Sequence, residues 1–221
     1  MIDTYRISLM KIIIIAGGTP PSKKLITKEI TSNSIIIAAD SGANCLYKYK
    51  ITPDYLIGDL DSIDSKALNF LANKNIPIER YPCDKDLTDA ELALKKALEL
   101  KAKKIIFLGC LGGKRIDHLL GVFGLLLECS NLNIDAALKD DNQTVTLLKK
   151  STTIRGNQGA IFSLQAYGGT VRKLNIIGSK YTIKNYSLKM GDALTLSNEF
   201  QNKKVQIQFK SGKLLLILNH R

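Results

Sequence analysis

Short apolar runs rich in β-branched residues alternate with helical patterns over the first 140 residues of this 221-residue chain. We interpret each run as a strand buried on both faces, because central strands of a parallel sheet carry apolar residues on both sides. The alternation predicts a three-layer α/β unit, with helices covering a parallel sheet. Predicted strands are 11–16, 34–39, 55–57, 76–81, 104–108 and 134–138, and predicted helices are 41–49, 64–73, 89–100 and 117–129.

From about residue 150 the hydrophobic period changes from helical to alternating. Val205, Ile207 and Phe209 would face one side of a strand, while the intervening Lys and Gln residues face the other. Glycines recur through this region at intervals that suit hairpin turns. We therefore predict a small antiparallel β-sandwich, with an α/β domain over 1–145 and the sandwich over 146–221.

Two short segments concentrate acidic side chains in a chain of formal net charge +12. If both segments follow neighbouring parallel strands, their carboxylates meet at one edge of the sheet, where ligands of such sheets bind. Like charges held together need a counter-cation, and Mg²⁺ typically takes one or two carboxylates together with substrate phosphates. The pattern therefore predicts a site for a metal–nucleotide complex built from Asp59, Asp61, Asp84, Asp86 and Asp89.

The same residues also have structural interpretations. Asp61 or Ser62 can cap the helix that follows them. Thr88 and Glu91 have the spacing of a capping box, in which each side chain satisfies a backbone amide of the other residue.

A glycine loop with two cations precedes the last predicted helix, at Gly112 to His118. Backbone amides and positive charge together make a phosphate cradle, in which Arg115 would neutralise charge on a transferring phosphoryl group. The alternative is a surface turn with Asp117 as the N-cap of the helix. The chain contains neither the dinucleotide Gly-x-Gly-x-x-Gly pattern nor a Walker P-loop.

Basic charge is unevenly distributed along the chain. Residues 151–221 hold 11 Lys and Arg against 2 Asp and Glu, whereas residues 1–150 hold 21 against 18. Such asymmetry is a feature of nucleic-acid-binding modules, which we keep as an alternative function. Only six of the 32 basic residues are arginine, the preferred reader of phosphates and bases, so we expect no nucleic-acid partner.

Cysteine usage and hydropathy bear on the compartment. The four cysteines lie far apart without a Cys-x-x-Cys pair, which is typical of free thiols in a reducing environment. No apolar run approaches the length of a membrane span, and Lys11 interrupts the apolar stretch that a secretory signal would need. We therefore expect a cytoplasmic protein without a membrane partner, for which Met10 is a possible alternative start.

Five ordered motifs resemble the bacterial thiamine pyrophosphokinase family. They span nearly the whole chain: Asp40-Ser41-Gly42-Ala43, Gly58-Asp59-Leu60-Asp61-Ser62, Asp86-Leu87-Thr88-Asp89, Gly112-Gly113-Lys114-Arg115-Ile116-Asp117-His118 and Leu196-Ser197-Asn198-Glu199-Phe200. The resemblance implies transfer of a pyrophosphoryl group from Mg-ATP to the hydroxyl of thiamine, giving thiamine diphosphate and AMP. It also implies magnesium as cofactor and a homodimer with the active site between subunits.

Carried over motif by motif, the resemblance assigns roles to particular residues. The implied metal ligands are Asp59, Asp61, Asp86 and Asp89; the implied catalytic residues are Asp59, Asp61, Asp89 and Arg115; the implied nucleotide contacts are Asp40, Ser41, Gly42, Lys114, Arg115, Asp117 and His118; and the implied thiamine contacts are Thr88, Asp89, Ser197 and Asn198. Lys114 is an addition to the family pattern, so either Lys114 or Arg115 could face the phosphates. A magnesium-dependent phosphohydrolase on the same scaffold is a further alternative.

Overall fold

The computed structural model describes residues 10–113 and 115–220. The chain divides into two compact units between Asp140 and Asp141, five residues before the boundary placed by the sequence pattern.

The first unit is built on six parallel strands. These are β1 (Lys11–Ile15), β2 (Ser34–Ala39), β3 (Tyr55–Gly58), β4 (Ile78–Arg80), β5 (Lys104–Leu108) and β6 (Asp135–Lys139). Their spatial order is β6-β5-β1-β2-β3-β4, and every neighbouring pair is parallel. The chain winds outward from β1 to β4 and then returns to the other side of β1 for β5. The gap between β1 and β5 is therefore the topological switch point, where ligands of open α/β sheets bind.

Five helices connect these strands. They are α1 (Lys23–Glu29), α2 (Gly42–Tyr49), α3 (Ser65–Ala72), α4 (Asp89–Glu99) and α5 (Ile116–Asn131). The predicted capping box is confirmed at the start of α4, where Thr88 and Glu91 bind each other's backbone amides. The sequence pattern did not predict α1, a two-turn helix whose Ser22 side chain accepts a hydrogen bond from the Leu25 amide at 3.1 Å.

The core of the first unit lies along its central strands. Ile12 to Ile15 of β1 and Ile105 to Leu108 of β5 are at most 1% exposed, as expected for strands covered on both faces. The prediction that every strand is buried was wrong for β4, where Ile78 is 37% exposed. Strand β4 is the last in the order, and among the strands of the described residues it pairs with β3 alone, so its other edge is uncovered by any of them.

A buried ion pair joins α1 to two strands of this sheet. The Glu29 carboxylate, 8% exposed, lies 2.8 Å from Lys11 Nζ and 2.7 Å from Lys139 Nζ. Burial alone would raise the pKa of Glu29, but the hydrogen bonds from Lys11 and Lys139 outweigh it, so the pKa lies below its ordinary value.

The second unit contains two antiparallel sheets. Their strands are β7 (Gln143–Leu148), β8 (Thr152–Arg155), β9 (Ile161–Ala166), β10 (Val171–Ile177), β11 (Ile183–Leu188), β12 (Asn198–Glu199), β13 (Lys204–Gln208) and β14 (Leu214–Asn219). One sheet has the order β12-β9-β14-β7 and the other β11-β10-β13-β8. The inner faces share one apolar core, in which the rings of Phe162 and Phe200 meet edge to face at 5.0 Å.

The alternation predicted for residues 204–210 is present in β13, where Val205 and Ile207 are buried between exposed neighbours. The predicted fold class, an α/β unit followed by a β-sandwich, is confirmed. None of the described helices is long and apolar enough to cross a membrane.

Candidate active site

Strand register brings the predicted acidic loops to one edge of the parallel sheet. Ala39 at the end of β2 lies beside Ile57 of β3, and Gly58 at the end of β3 lies beside Arg80 of β4. Asp40 and Asp59 thus follow directly from neighbouring strands at the carboxyl edge.

Three aspartates form a compact carboxylate cluster at this edge. Asp40, Asp59 and Asp89 each place an oxygen within 4.8 Å of the other two. Asp40 is 7% exposed, and its buried Oδ1 atom has no hydrogen-bond partner among the described residues. Burial raises the pKa of Asp40, and the charges of Asp89 and Asp59 raise it further. We call these three residues the acidic trio.

Lys85 inserts its ammonium between two members of the acidic trio. Its Nζ lies 2.6 Å from Asp59 Oδ2 and 3.1 Å from Asp89 Oδ1. The hydrogen bond from Lys85 lowers the pKa of Asp59. Burial opposes the charge on Lys85, but its two carboxylate partners outweigh this effect and raise its pKa. The sequence analysis gave this lysine no role, although it stands four residues before Asp89.

Gly58 allows the trio to assemble. Its φ of +148° is a conformation that L side chains rarely adopt, and a Cβ there would lie 3.1 Å from Asp89 Oδ1. The same Cβ would lie 3.0 Å from the Cβ of Asp40. A glycine is therefore required at position 58 for the side chains of Asp40 and Asp89 to approach each other across the end of β3.

The capping box positions Asp89. The Thr88 hydroxyl accepts from the Glu91 amide at 3.3 Å, and the Glu91 carboxylate accepts from the Thr88 amide at 2.7 Å. Asp89 is the first residue of α4, where the helix dipole favours a negative charge. The predicted structural interpretation thus applies to Thr88 and Glu91, and it leaves the Asp89 carboxylate outside the capping box.

The other predicted metal ligands are placed differently. Asp61 and Cys83, both exposed, form a second group with Asp59, again with ligand atoms within 4.8 Å. Asp84 and Asp86 are exposed and belong to neither group. The structure therefore brings Asp59 together with Asp89 and with Asp61, and leaves Asp86 outside both groups.

The loops after β1 and β5 and the start of α2 pack closely against one another at the carboxyl edge of the sheet. The Gly18 amide donates to the Gly109 carbonyl at 2.7 Å, which ties the loop after β1 to the loop after β5. A Cβ on Gly42 would lie 2.0 Å from the Ile15 carbonyl oxygen, and one on Gly17 would lie 2.0 Å from Ser41 Oγ. These glycines keep side chains out of the rim, so that backbone can approach a ligand closely. The sequence analysis did not assign Gly17, Gly18 or Gly109 to a site.

The start of α5 carries the predicted phosphate-facing residues. Arg115, Asp117 and His118 are exposed, and the Arg115 guanidinium donates through Nε and Nη2 to Asp117. This contact holds the pKa of Asp117 well below its usual range. Asp117 lies in the first turn and is not the N-cap that the alternative interpretation expected, since Arg115 occupies that position. Lys114 lies outside the described residues.

The predicted thiamine contacts of the second unit differ from each other in environment. Ser197 is exposed with φ +53°, and its amide donates to Ser163 Oγ at 3.0 Å. Asn198 is 2% exposed, and its amide group binds the backbone of Tyr181 on both sides, at 3.1 and 2.7 Å. Asn198 therefore fixes the neighbouring chain, whereas Ser197 faces outward.

The acidic trio fits a hard divalent cation. It supplies three carboxylate oxygens in close proximity, which are the ligands that Mg²⁺ prefers. Asp40 and Asp89 each also have a buried oxygen with no hydrogen-bond partner among the described residues, a costly arrangement unless a ligand satisfies it. Lys85 offsets only one of the three formal charges.

The chain thus combines an α/β unit that carries a carboxylate cluster at the carboxyl edge of its sheet with a β-sandwich. Two family models match the chain: "Thiamin pyrophosphokinase, catalytic domain" over residues 26–138 and "Thiamin pyrophosphokinase, vitamin B1 binding domain" over residues 151–214. The chain belongs to the thiamin pyrophosphokinase family, a family of enzymes.

Individual relatives agree over nearly the full length. Thiamine pyrophosphokinase of Bacillus subtilis is 28% identical over 206 residues, covering 92% of this chain and 96% of that protein. The crystal structure of thiamine pyrophosphokinase from B. subtilis superposes with a TM-score of 0.86 at 27% identity, covering 96% of this chain and 99% of that one. The enzyme from Geobacillus thermodenitrificans gives a TM-score of 0.83 at 25% identity, covering 96% and 98%.

Proposed function

We propose that this chain transfers a pyrophosphoryl group from Mg-ATP to the hydroxyl oxygen of thiamine, giving thiamine diphosphate and AMP. The observation that carries the proposal is the acidic trio at the carboxyl edge of the sheet, in a chain that matches both thiamin pyrophosphokinase domains. The comparisons favour this function over the nucleic-acid-binding and phosphohydrolase alternatives.

The acidic trio is the proposed magnesium site, with Asp61 as a further ligand from the same loop. When bound there, a divalent cation would neutralise charge on the nucleotide phosphates. Asp40 contributes the buried oxygen, and Asp59 and Asp89 contribute the oxygens that Lys85 contacts. Asp86 was predicted to belong to this set, and because it lies in neither carboxylate group we assign it to substrate and not to the ion.

The glycine rim and the start of α5 are the proposed phosphate-binding elements. The loops of Ser41, Gly42 and Gly18 present backbone rather than bulky side chains at the switch point. Arg115 uses Nε and Nη2 on Asp117, which fixes the plane of its guanidinium and leaves Nη1 for a phosphate oxygen.

The chemistry that remains for the protein is positioning and charge neutralisation. The thiamine hydroxyl attacks the β-phosphorus in line and AMP leaves, with little covalent catalysis required. We assign Asp89 to orient this hydroxyl and to accept its proton late in the transfer, since the capping box holds the carboxylate in place. Ser197 is the proposed thiamine contact of the sandwich, and Asn198 supports the chain around it.

Two further features belong to the proposal. We infer a homodimer, and the exposed apolar side chains Ile116 and Leu120 of α5, 74% and 65% exposed, are consistent with a covered face. We also infer a cytoplasmic location, consistent with four free cysteines.

The test is incubation of the purified protein with ATP, MgCl₂ and thiamine, with products separated by chromatography. We expect thiamine diphosphate and AMP in equal amounts, and neither product when thiamine or magnesium is omitted. Release of phosphate without thiamine would instead identify a phosphohydrolase. No nucleotide consumption, together with salt-sensitive binding of nucleic acid, would identify a nucleic-acid-binding protein.

A further inference from the structure

The proposed mechanism places a metal ion at the acidic trio and gives no role to Lys85, although its ammonium lies at the same place. Its ammonium contacts one oxygen of Asp59 and one oxygen of Asp89, both members of the acidic trio. The lysine side chain is only 13% exposed, so the contact is built into the site and is not a mobile surface pair. Among the ion pairs of the described residues, both that reach the trio come from Lys85.

The contact leaves the third member of the trio unsatisfied. Asp40 Oδ1 is buried and finds no hydrogen-bond partner among the described residues, and the same holds for Asp89 Oδ1, whose contact with Lys85 is an ion pair at 3.1 Å. Lys85 therefore neutralises part of the cluster and leaves two buried oxygens, one on Asp40 and one on Asp89, for another ligand. A divalent cation would meet this requirement, because it can contact all three carboxylates.

We propose that Lys85 is a resident cation of the divalent-metal site, which holds Asp59 and Asp89 in place before the metal arrives and competes with it for their oxygens. This inference rests on the proposed function, which places a divalent cation at the trio.

The competition follows from distance and charge. A magnesium ion binds carboxylate oxygen at about 2.1 Å. If the ammonium stayed 2.6 Å from the same Asp59 oxygen, it would lie only a few ångströms from the metal. Two cations at that separation repel each other strongly. The repulsion weakens metal binding while the ammonium stays in place, and the flexible four-carbon stem of lysine permits it to move away.

The displaced ammonium needs a new acceptor. A free metal ion supplies none, whereas a metal bound to a polyphosphate brings several anionic oxygens to the same place. Lys85 therefore makes the site weak for free metal and selective for the metal–nucleotide complex. As a result, a metal ion without a bound nucleotide would occupy the acidic trio only weakly.

The experiment measures Mn²⁺ binding to the nucleotide-free protein by the loss of the free-ion electron paramagnetic resonance signal, which requires no turnover. In Lys85→Met we expect Mn²⁺ to bind about tenfold or more tighter than in wild type, because a positive charge a few ångströms from the ion is removed. Lys85→Arg retains the charge and should keep the weak binding. Lys104→Met removes a lysine that pairs with Asp135 at the opposite, amino end of β5, and should leave Mn²⁺ affinity unchanged.

Thermal unfolding gives an independent readout. Without metal, Lys85→Met should melt below wild type, because Asp59 and Asp89 then repel without a counter-charge. Addition of Mn²⁺ should raise the melting temperature of Lys85→Met by more than it raises that of wild type, because at a given concentration a ligand that binds more tightly stabilises the folded state more.

Unchanged or weaker Mn²⁺ binding in Lys85→Met would overturn the inference, including the case in which neither protein binds the ion. An increase in the Michaelis constant for ATP with no change in Mn²⁺ affinity would identify Lys85 as a phosphate contact only, and would also overturn it. Wild type that makes thiamine diphosphate while Lys85→Met shows no gain in metal affinity would refute this inference and leave the proposed function intact.

Discussion

Gly58 and Asp40 stand so close that a Cβ on the glycine would lie 3.0 Å from the Cβ of the aspartate. Gly58 ends β3 and Asp40 follows β2, so the two residues face each other across neighbouring parallel strands. The contact sets how near Asp40 can come to the carboxylates of the next loop. Geometry of the acidic trio therefore depends on a residue with no side chain.

Gly58→Ala should reduce turnover by at least about tenfold, because a displacement of roughly 1 Å at a catalytic site can cost more than that. The substitution also introduces backbone strain, since φ at Gly58 is +148°. Gly169→Ala is the matched control, with φ +144° and nothing within 4 Å of the added methyl group. Initial rates and thermal melts of both variants separate the two effects. Equal loss of activity in both would show that strain, and not crowding of the trio, is responsible.

Asp89→Asn should abolish turnover while leaving the fold and ATP binding nearly intact. The amide keeps the size of the side chain but lacks the charge and basicity assigned to this carboxylate. Asp86→Asn is the comparison, since Asp86 is exposed and outside both carboxylate groups, and it should retain more activity than Asp89→Asn. Rates with saturating Mg-ATP and thiamine, together with nucleotide titration, test both variants. Normal turnover by Asp89→Asn would exclude the proposed role.

Glu29→Gln should destabilise the protein by about 2 kcal/mol at neutral pH, because Lys11 and Lys139 lose their shared counter-charge. The folded state lowers the pKa of Glu29, so its stabilisation is present above the ordinary value of 4.5 and is lost as pH falls through the lowered value. Wild type and variant should therefore converge in stability on acidification. Denaturant unfolding at several pH values measures this difference.

Asp135→Asn is the control for the buried pair, since the ion pair of Asp135 with Lys104 is exposed and should contribute little. A pH-independent difference between wild type and Glu29→Gln would contradict the assignment of the stabilisation to the charged carboxylate.

Thr88→Ala should lower the free energy of unfolding by about 1 kcal/mol, because the α4 N-cap loses its hydroxyl acceptor. Thr88→Ser retains the hydroxyl and should restore both stability and activity. Denaturant titration and thiamine kinetics measured together distinguish a cap from a substrate contact. A raised Michaelis constant for thiamine at unchanged stability would mean that Thr88 binds substrate and does not act as the cap.

Much of this architecture could be predicted from local patterns. The β-branched runs, the alternation in β13 and the capping box of Thr88 and Glu91 each depend on residues close in sequence, and the structure confirms them. The exposure of β4 could not be predicted, because its position at the end of the strand order is a property of the assembled sheet and not of its own residues.

The site required information that sequence patterns do not carry. Asp59 and Asp89 were predicted to approach because both follow strands, and they do so. Burial of Asp40 beside them depends on the close approach at Gly58, which is a property of the assembled sheet. Lys85 resembles a solvated residue between Asp84 and Asp86, and only the three-dimensional position of Asp59 reveals its pairing.

The hydrogen bond from the Gly18 amide to the Gly109 carbonyl couples segments that are 91 positions apart in sequence. Since the link involves main-chain atoms, exchange of side chains cannot remove it directly. A rearrangement of either loop must therefore break this bond or move the other loop as well, and the bond favours the second course.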